Sequence, residues 1–361
     1  MRRAWIQIHL WLGLSLGALG IFIGLSGSFL IYDHEIDAWL NPQRYAVSGP
    51  EVSRTYAEYA ESVSQALGHA RIANIRMPEE PGGPVVVIAR TQGAVTFQRV
   101  YVDPPTGRVL EAVPGGGLIG WVHRFHENLT LREYWGREIV GAVGFAMLIS
   151  SLSGIYLWWP ARGRFREALG VHPGLARSRN LHYLFGFYGS LFLALLSFTG
   201  IWLAYPEAGR SAVSAFSPVS PLARNIKASE SLAGRKPIAP DAAVSAAQAL
   251  YPAATVTGIG LPAGQSEVYR VNLREVNTPI AVFLDPASGA LLRRTDAATR
   301  SAGDRFLAVQ RQLHTGEAFG AGRIALFLAG LLPAVLAATG SIMWLKNRLP
   351  RTPRGSLRGP R

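Results

Sequence analysis

Four long apolar runs, roughly 4 to 32, 138 to 159, 181 to 205 and 323 to 345, divide this chain of 361 residues. Each is near or above the about 20 residues that carry a helix across a bilayer core. Between them the pattern changes. In residues 55 to 68 (TYAEYAESVSQALG), Tyr56, Tyr59, Ala60, Val63 and Leu67 recur at helical spacing, which predicts an amphipathic helix. Strand-like runs follow near 72 to 77, 84 to 90 and 97 to 103, and Asp103-Pro-Pro-Thr-Gly107 turns the chain into a last strand at 108 to 112. The second long segment repeats the pattern. A helix at 240 to 250 precedes strands near 255 to 261, 267 to 274 and 280 to 285, and its turn reads Asp285-Pro-Ala-Ser-Gly289.

The apolar runs are repeated too. His9, Gly13, Gly27 and Tyr32 recur as His182, Gly186, Gly200 and Tyr205, an offset of 173 residues. Gly136-Arg137, Gly154 and Trp158 recur as Gly322-Arg323, Gly340 and Trp344 at an offset of 186, whereas His126 and His314 fall two residues out of step. The expected architecture is a membrane bundle of four transmembrane helices with two exported α+β domains, related by an internal two-fold duplication. Its parts are a first transmembrane helix within 1–32, an exported domain at 33–136, a second span at 137–159 and a loop at 160–180. A third span at 181–205, a second exported domain at 206–322, a fourth span at 323–345 and a tail at 346–361 complete it.

Half the residues are hydrophobic and the net charge is +13. The charge is a topology signal. Lys and Arg number two at the N-terminus, five in 160–180 and six after 345, against one acidic residue there, Glu167. The positive-inside rule therefore places both termini and the middle loop in the cytoplasm and the long segments outside. That distribution accounts for the basic balance without nucleic acid as a partner. The first run is roughly twice a signal-peptide core of about 7 to 15 residues and no small-x-small site closes it, so it is expected to be a retained helix. No Cys is present, so redox work would need a bound cofactor.

The candidate chemistry lies in the histidines. His9 and His182 head equivalent helices near the cytoplasmic face, and His126 and His314 precede the second and fourth spans on the outer side. Each pair is suited to the two axial positions of a haem on the symmetry axis. His123, three residues before His126, and His34 are weaker substitutes. His9, Gly13, Gly17, Gly20, Gly24 and Gly27 share one helix face. That stripe reads either as close helix packing or as a flat slot for a porphyrin, with Gly13, Gly17 and, in the third span, Gly186 against it. Zinc chemistry lacks its ligand spacing, and no nucleotide or hydrolase fingerprint stands in a suitable context.

A helix followed by antiparallel strands ending in D-P-x-[TS]-G resembles a PepSY domain. The flanking spans, with a leading His-x-x-x-Gly, a His before the next span and a Thr/Ser-Gly-x-x-x-Trp exit, resemble the PepSY-associated transmembrane family from His9 to about Trp344. That resemblance implies a multi-pass protein of the bacterial inner membrane, with periplasmic PepSY-like domains. Members similar to ferric-siderophore reductases imply a haem oxidoreductase with two haem b groups, drawing electrons from a cytoplasmic or quinol donor. A ferric siderophore is then the acceptor, reduced to release Fe(II) for iron acquisition. PepSY domains also resemble inhibitory propeptide modules, which leaves open a cofactor-free, membrane-tethered binding or protease-regulating protein. An importer is a third reading, weakened because the repeats run parallel and no charged site interrupts a span.

Overall fold

A computed structural model of the chain describes residues 1–159, 176–221, 226–228, 236–262, 267–276, 278–317 and 320–348. Most of the basic loop, with His172, and most of the tail lie outside them. The helices are α1 (Arg2–Ser15), α2 (Gly17–Ile31), α3 (Asp33–Leu40), α4 (Tyr56–Ala66), α5 (Gly117–Asn128), α6 (Gly136–Trp158), α7 (Arg177–Ala204), α8 (Pro206–Ser214), α9 (Pro240–Leu250), α10 (Ala302–Thr315) and α11 (Arg323–Arg348). The strands are β1 (Arg71–Arg76), β2 (Val85–Arg90), β3 (Gln98–Val102), β4 (Val109–Pro114), β5 (Thr255–Gly260), β6 (Tyr269–Glu275), β7 (Thr278–Leu284) and β8 (Leu291–Thr295). They form two compact units, a helical one of residues 1–31, 122–209 and 308–361 and a sheet unit of 32–121 and 210–307.

In the helical unit, α6, α7 and α11 are each long and apolar enough to cross a membrane, and α1 with α2 makes a fourth span if counted together. The first span is not the single straight helix expected. It bends by 62° between α1 and α2, where Ser15 returns its hydroxyl to the Trp11 carbonyl at 2.6 Å and Gly17 follows, a Ser/Gly combination that relaxes the helix ladder. Its counterpart α7 runs unbroken.

Glycine closes the bundle at one crossing. A Cβ on Gly24 of α2 would run into the carbonyl oxygen of Gly330 on α11 and stand 3.1 Å from Pro333, and one on Gly330 would strike Ser28. The repeated Gly-Arg has a capping role. Arg137 donates to the Leu203 carbonyl at 3.0 Å near the end of α7, and Arg323 donates to the Ile31 carbonyl at the end of α2. Helix-terminal carbonyls lack partners within their own helix, and a guanidinium supplies them.

The sheet unit corrects the expectation of two separate exported domains. Its eight strands form one antiparallel sheet in the order β4-β3-β2-β1-β5-β6-β7-β8. The halves join where β1 pairs with β5, Ile75 opposite Ile259. Two separate four-stranded sheets would each expose an unpaired edge there, and joining satisfies both. α4 and α9 pack on one face, and Tyr59, Val63, Ala243 and Ala247 share a single core with Ile75, Val87, Val100, Val271 and Val282. β8 escaped the sequence reading because LLRRT lacks a strong alternation. The unit also ends at 121 and 307 rather than at 136 and 322, because the second halves of α5 and α10 pack with the helical unit.

The two Asp-Pro turns form as expected. Gly107 and Gly289 have φ of 73° and 71°, and each donates its N–H to the Asp carbonyl four residues back at 2.9 Å. Asp103 also accepts from the Ser48 amide and hydroxyl, both at 2.7 Å. On the far side of the first half, buried Asp37 accepts from Arg44 at 2.6 Å, Tyr101 at 2.8 Å, Tyr45 at 2.9 Å and Asn41 at 3.0 Å. Arg44 also forks onto Glu111. This ties α3 to the sheet.

Burial of Asp103 opposes its ionisation, but hydrogen bonds from Thr106 and Ser48 outweigh that and leave its pKa below the usual carboxylate value. The hydrogen bond from Arg44 likewise lowers that of Glu111. A carboxylate whose folded pKa is depressed adds stability above its unfolded pKa of about 4 and loses it as pH falls through the folded value. Thermal melts should therefore be flat from about pH 7 to 5 and decline below about 4, with a shallower acid decline in Asp103→Asn. Asp37→Asn should destabilise the sheet unit by about 1–3 kcal/mol by leaving Tyr45, Tyr101 and Arg44 a weaker, uncharged partner while Arg44 keeps Glu111, seen as faster amide exchange in β3; exchange unchanged from wild type would contradict the role given to Asp37.

Candidate functional site: two imidazole pairs

Each of the four spans carries a small hydroxyl residue directly before a glycine: Ser26-Gly27, Ser153-Gly154, Thr199-Gly200 and Thr339-Gly340. In each case a histidine from another helix sits on that dipeptide. His126 of α5 rests on α2, where a Cβ at Gly27 would come within 2.9 Å of its Cε1. His9 of α1 rests on Gly154 of α6, and His314 of α10 on Gly200 of α7, both with a Cβ-to-Cε1 distance of 3.2 Å. His182 of α7 rests on Gly340 of α11 at 3.4 Å. A Cβ at Gly27 would force the ring to shift, one at Gly154 or Gly200 would crowd it, and one at Gly340 would just touch it.

The hydroxyls fix the proton on each ring. Ser26 gives its hydrogen to the Ile23 carbonyl at 3.0 Å, so its 3.1 Å contact with His126 Nδ1 requires Nδ1 to donate. The Ile23 carbonyl, 3.0 Å from the same nitrogen, can only accept. Around His9, Nδ1 lies 3.1 Å from the Ser150 carbonyl and 3.0 Å from the Ser153 hydroxyl, which itself donates to Ser150. His314 Nδ1 meets Thr199 at 2.9 Å, and Thr199 donates to Leu195. His182 Nδ1 meets Thr339 at 2.9 Å, and Thr339 donates to Val335. His9 and His126, whose Nδ1 lies against a backbone carbonyl, therefore hold hydrogen on Nδ1 and keep the Nε2 lone pair for another partner, and His182 and His314 sit against their threonines in the same arrangement, compatible with the same tautomer.

The rings meet in two pairs. His9 and His182 have centroids 6.3 Å apart with planes at 87°, and His126 and His314 have centroids 6.0 Å apart at 47°. The pairs are far from one another. His182 and Thr199 lie on the continuous helix α7, and the 17 residues between them rise about 26 Å, comparable with the about 30 Å of a bilayer core. The two-residue slip between His126 and His314 leaves both on equivalent seats; it is taken up where the chain enters α6 and α11.

The other candidates stand apart from the pairs. His123 is exposed one turn before His126, and His34 is exposed on α3. The glycine stripe divides by depth. A Cβ at Gly13 would meet nothing within 4 Å, whereas Gly17 faces Ala337 at 3.5 Å and Gly186 faces Leu336 at 3.7 Å. Gly24 is packing and Gly27 is an imidazole seat. Ser153 and Thr339 stood in the sequence only as the first residue of the Thr/Ser-Gly-x-x-x-Trp exit, without a role, and Ser26 and Thr199 were not singled out. Their signal was available as a hydroxyl residue before the last conserved-offset glycine of every span.

Apolar spans that bring two pairs of histidines together, beside a separate antiparallel sheet unit, define a multi-pass membrane protein. The chain belongs to the family described as the PepSY-associated TM region, which it matches over residues 6–347. No curated protein matches it.

The glycine seats give opposite outcomes for similar substitutions. Gly27→Val or Gly200→Val should cost about 1–3 kcal/mol through overpacking against the imidazole. Gly13→Ala should be neutral or stabilising by up to about 1 kcal/mol, since alanine favours the helix and finds open space. Thermal unfolding in detergent checks both; equal losses at Gly13 and Gly27 would contradict the seating of His126.

Proposed function

We propose that this protein is a haem-containing oxidoreductase of the bacterial inner membrane that delivers electrons to a periplasmic acceptor, a ferric siderophore being the acceptor its resemblance suggests. The observation that carries this reading is the donor set of each imidazole pair. Among the described residues no group of three or more His, Cys, Asp or Glu side chains converges, and two imidazoles alone leave the shell of a bare metal ion incomplete. A haem brings its own four equatorial nitrogens and asks two axial ligands of the protein. The two pairs bring their ring centroids to 6.3 and 6.0 Å, close enough that both imidazoles of a pair would hold the same group.

His9 with His182 and His126 with His314 would hold the two haems. Bound there, haem b supplies reversible one-electron chemistry at two depths of the bilayer. The chain's own residues do the rest. Ser26, Ser153, Thr199 and Thr339 orient the rings and hold their protons on Nδ1, which strengthens Nε2 as a donor. Gly27, Gly154, Gly200 and Gly340 let the rings approach the helix backbone, and the surrounding apolar helices exclude water.

Charge placement supports cytoplasmic termini and a periplasmic sheet unit, and two PepSY-like halves derived by duplication explain its doubled helix-and-strand order. The electron donor is then a cytoplasmic protein or a quinol in the bilayer. For a ferric siderophore, one-electron reduction to Fe(II) weakens the hold of hard oxygen ligands and frees the metal.

Purified from haem-replete cells, the protein should carry two haem b per polypeptide, with sharp α and β bands on reduction. His9→Ala or His182→Ala should remove one, and His126→Ala or His314→Ala the other. A colourless protein would overturn the redox reading and leave the tethered binding protein.

A further inference from the structure

Two aromatic side chains just beyond the spans lie uncovered. α3 begins one residue after Tyr32 follows the end of α2, and α8 begins directly after Tyr205 at the end of α7. Trp39 of α3 is 81% exposed, and Phe216, two residues past the end of α8, is 92% exposed. A large ring held in water is unfavourable, and exposed apolar surface of this kind marks a contact with another phase or partner.

The fold holds both rings outward. Asp37 of α3 accepts from Tyr101 on β3, whereas Val100 and Val102 on either side of Tyr101 belong to the core beneath α4 and α9. Alternation along β3 therefore puts α3 on the opposite face of the sheet from those two helices. Ile36, Trp39 and Leu40 stand at i, i+3 and i+4, an apolar stripe beside Asp37 rather than under it. Leu40 is 45% exposed as well. Phe216 is presented in a similar way. On its C-terminal side the Ser217 hydroxyl accepts from the Gly303 amide at 2.9 Å, and Ser220 donates its amide and hydroxyl to Asp304 at 2.9 and 2.6 Å. Each ring thus projects from a segment that a carboxylate network ties down.

Chain continuity says what lies beside them. The 8 residues of α3 rise about 12 Å, so Trp39 stays within roughly 15 Å of the end of the first span. α8 turns back on its own span, since a Cβ at Gly209 would stand 2.7 Å from the Trp202 ring of α7. The membrane leaves by α2 and is re-entered by α6 from the same side, where exposed Tyr134 and Trp135 directly precede α6. Rings of that kind collect at the boundary between lipid and water.

We propose that Trp39 and Phe216 insert into the phospholipid headgroup layer, one from each half of the chain. The ring bodies leave water at the boundary between headgroups and acyl chains, Leu40 adds apolar area beside Trp39, and the indole N–H reaches a lipid oxygen. Two short helices that follow equivalent spans then fasten the sheet unit to the bilayer at two points. This requires the membrane spans and is independent of any haem.

The chain contains no Cys, so Trp39→Cys, Phe216→Cys and, on the exposed side of α4, Glu61→Cys each provide one thiol for a nitroxide label in the full-length protein. In phosphatidylcholine nanodiscs, power saturation compares collision with oxygen, which partitions into lipid, and with a water-soluble nickel chelate. Labels at 39 and 216 should favour oxygen and the label at 61 the nickel chelate, an inversion of the ratio. A label at 39 or 216 as open to nickel as the one at 61 would overturn the proposal and point to a protein partner. Trp39→Phe, which keeps a ring, serves if Trp39→Cys fails to fold. The tryptophan emission lost on changing to brominated acyl chains should be smaller in Trp39→Phe than in wild type, and an equal loss would also overturn the proposal.

Discussion

The helical unit depends on one contact repeated four times: an imidazole Nδ1–H held by a hydroxyl and seated over the glycine that follows it. A polar ring inside an apolar bundle is unfavourable unless its donor is satisfied. Here the donor is satisfied by a neighbouring span in every case, so each histidine links two helices as well as presenting its Nε2. His9 joins α1 to α6, His126 joins α5 to α2, His182 joins α7 to α11, and His314 joins α10 to α7. Helix packing and ring orientation are the same interaction. That coupling explains why Gly27 and Gly200 cannot be read as packing glycines alone.

The sheet unit solves a different problem. Two similar halves, each with a free edge, join into one sheet through β1 and β5, so the polar backbone of those edges is paired. The join also creates surface that neither half has alone, since Gly258 and Gly260 on β5 lie between side chains of β1 and β6. Buried Asp37, saturated with four donors, anchors α3 to that sheet at the start of the first half.

Much of this was legible in the sequence. The helix at Tyr56–Ala66, the strands that follow it and both Asp-Pro turns emerge from periodicity and turn chemistry, because those signals are local. The offset of 173 residues aligns His9 with His182, whose rings are neighbours in the structure, and Gly27 with Gly200, each of which lies under a histidine. What was not legible required a third dimension. The bend after Ser15 reflects a local hydroxyl bond that also occurs in straight helices. The fusion of two sheets into one depends on edges that no single segment displays. The hydroxyl residues before each glycine were visible as letters, but their purpose appears only when a histidine 100 or more residues away arrives above them. The two-residue slip at His126 and His314 looked like a flaw in the repeat; in three dimensions it lies in the connection and leaves the seats intact.

The central proposal is that each imidazole pair would hold one haem. Low-temperature electron paramagnetic resonance of the oxidised, purified protein tests this most directly. The account predicts two distinct low-spin ferric signals of bis-imidazole type, one for each pair, because the ring planes meet at different angles, 87° and 47°. A dominant high-spin ferric signal, or no haem signal at all, would contradict it.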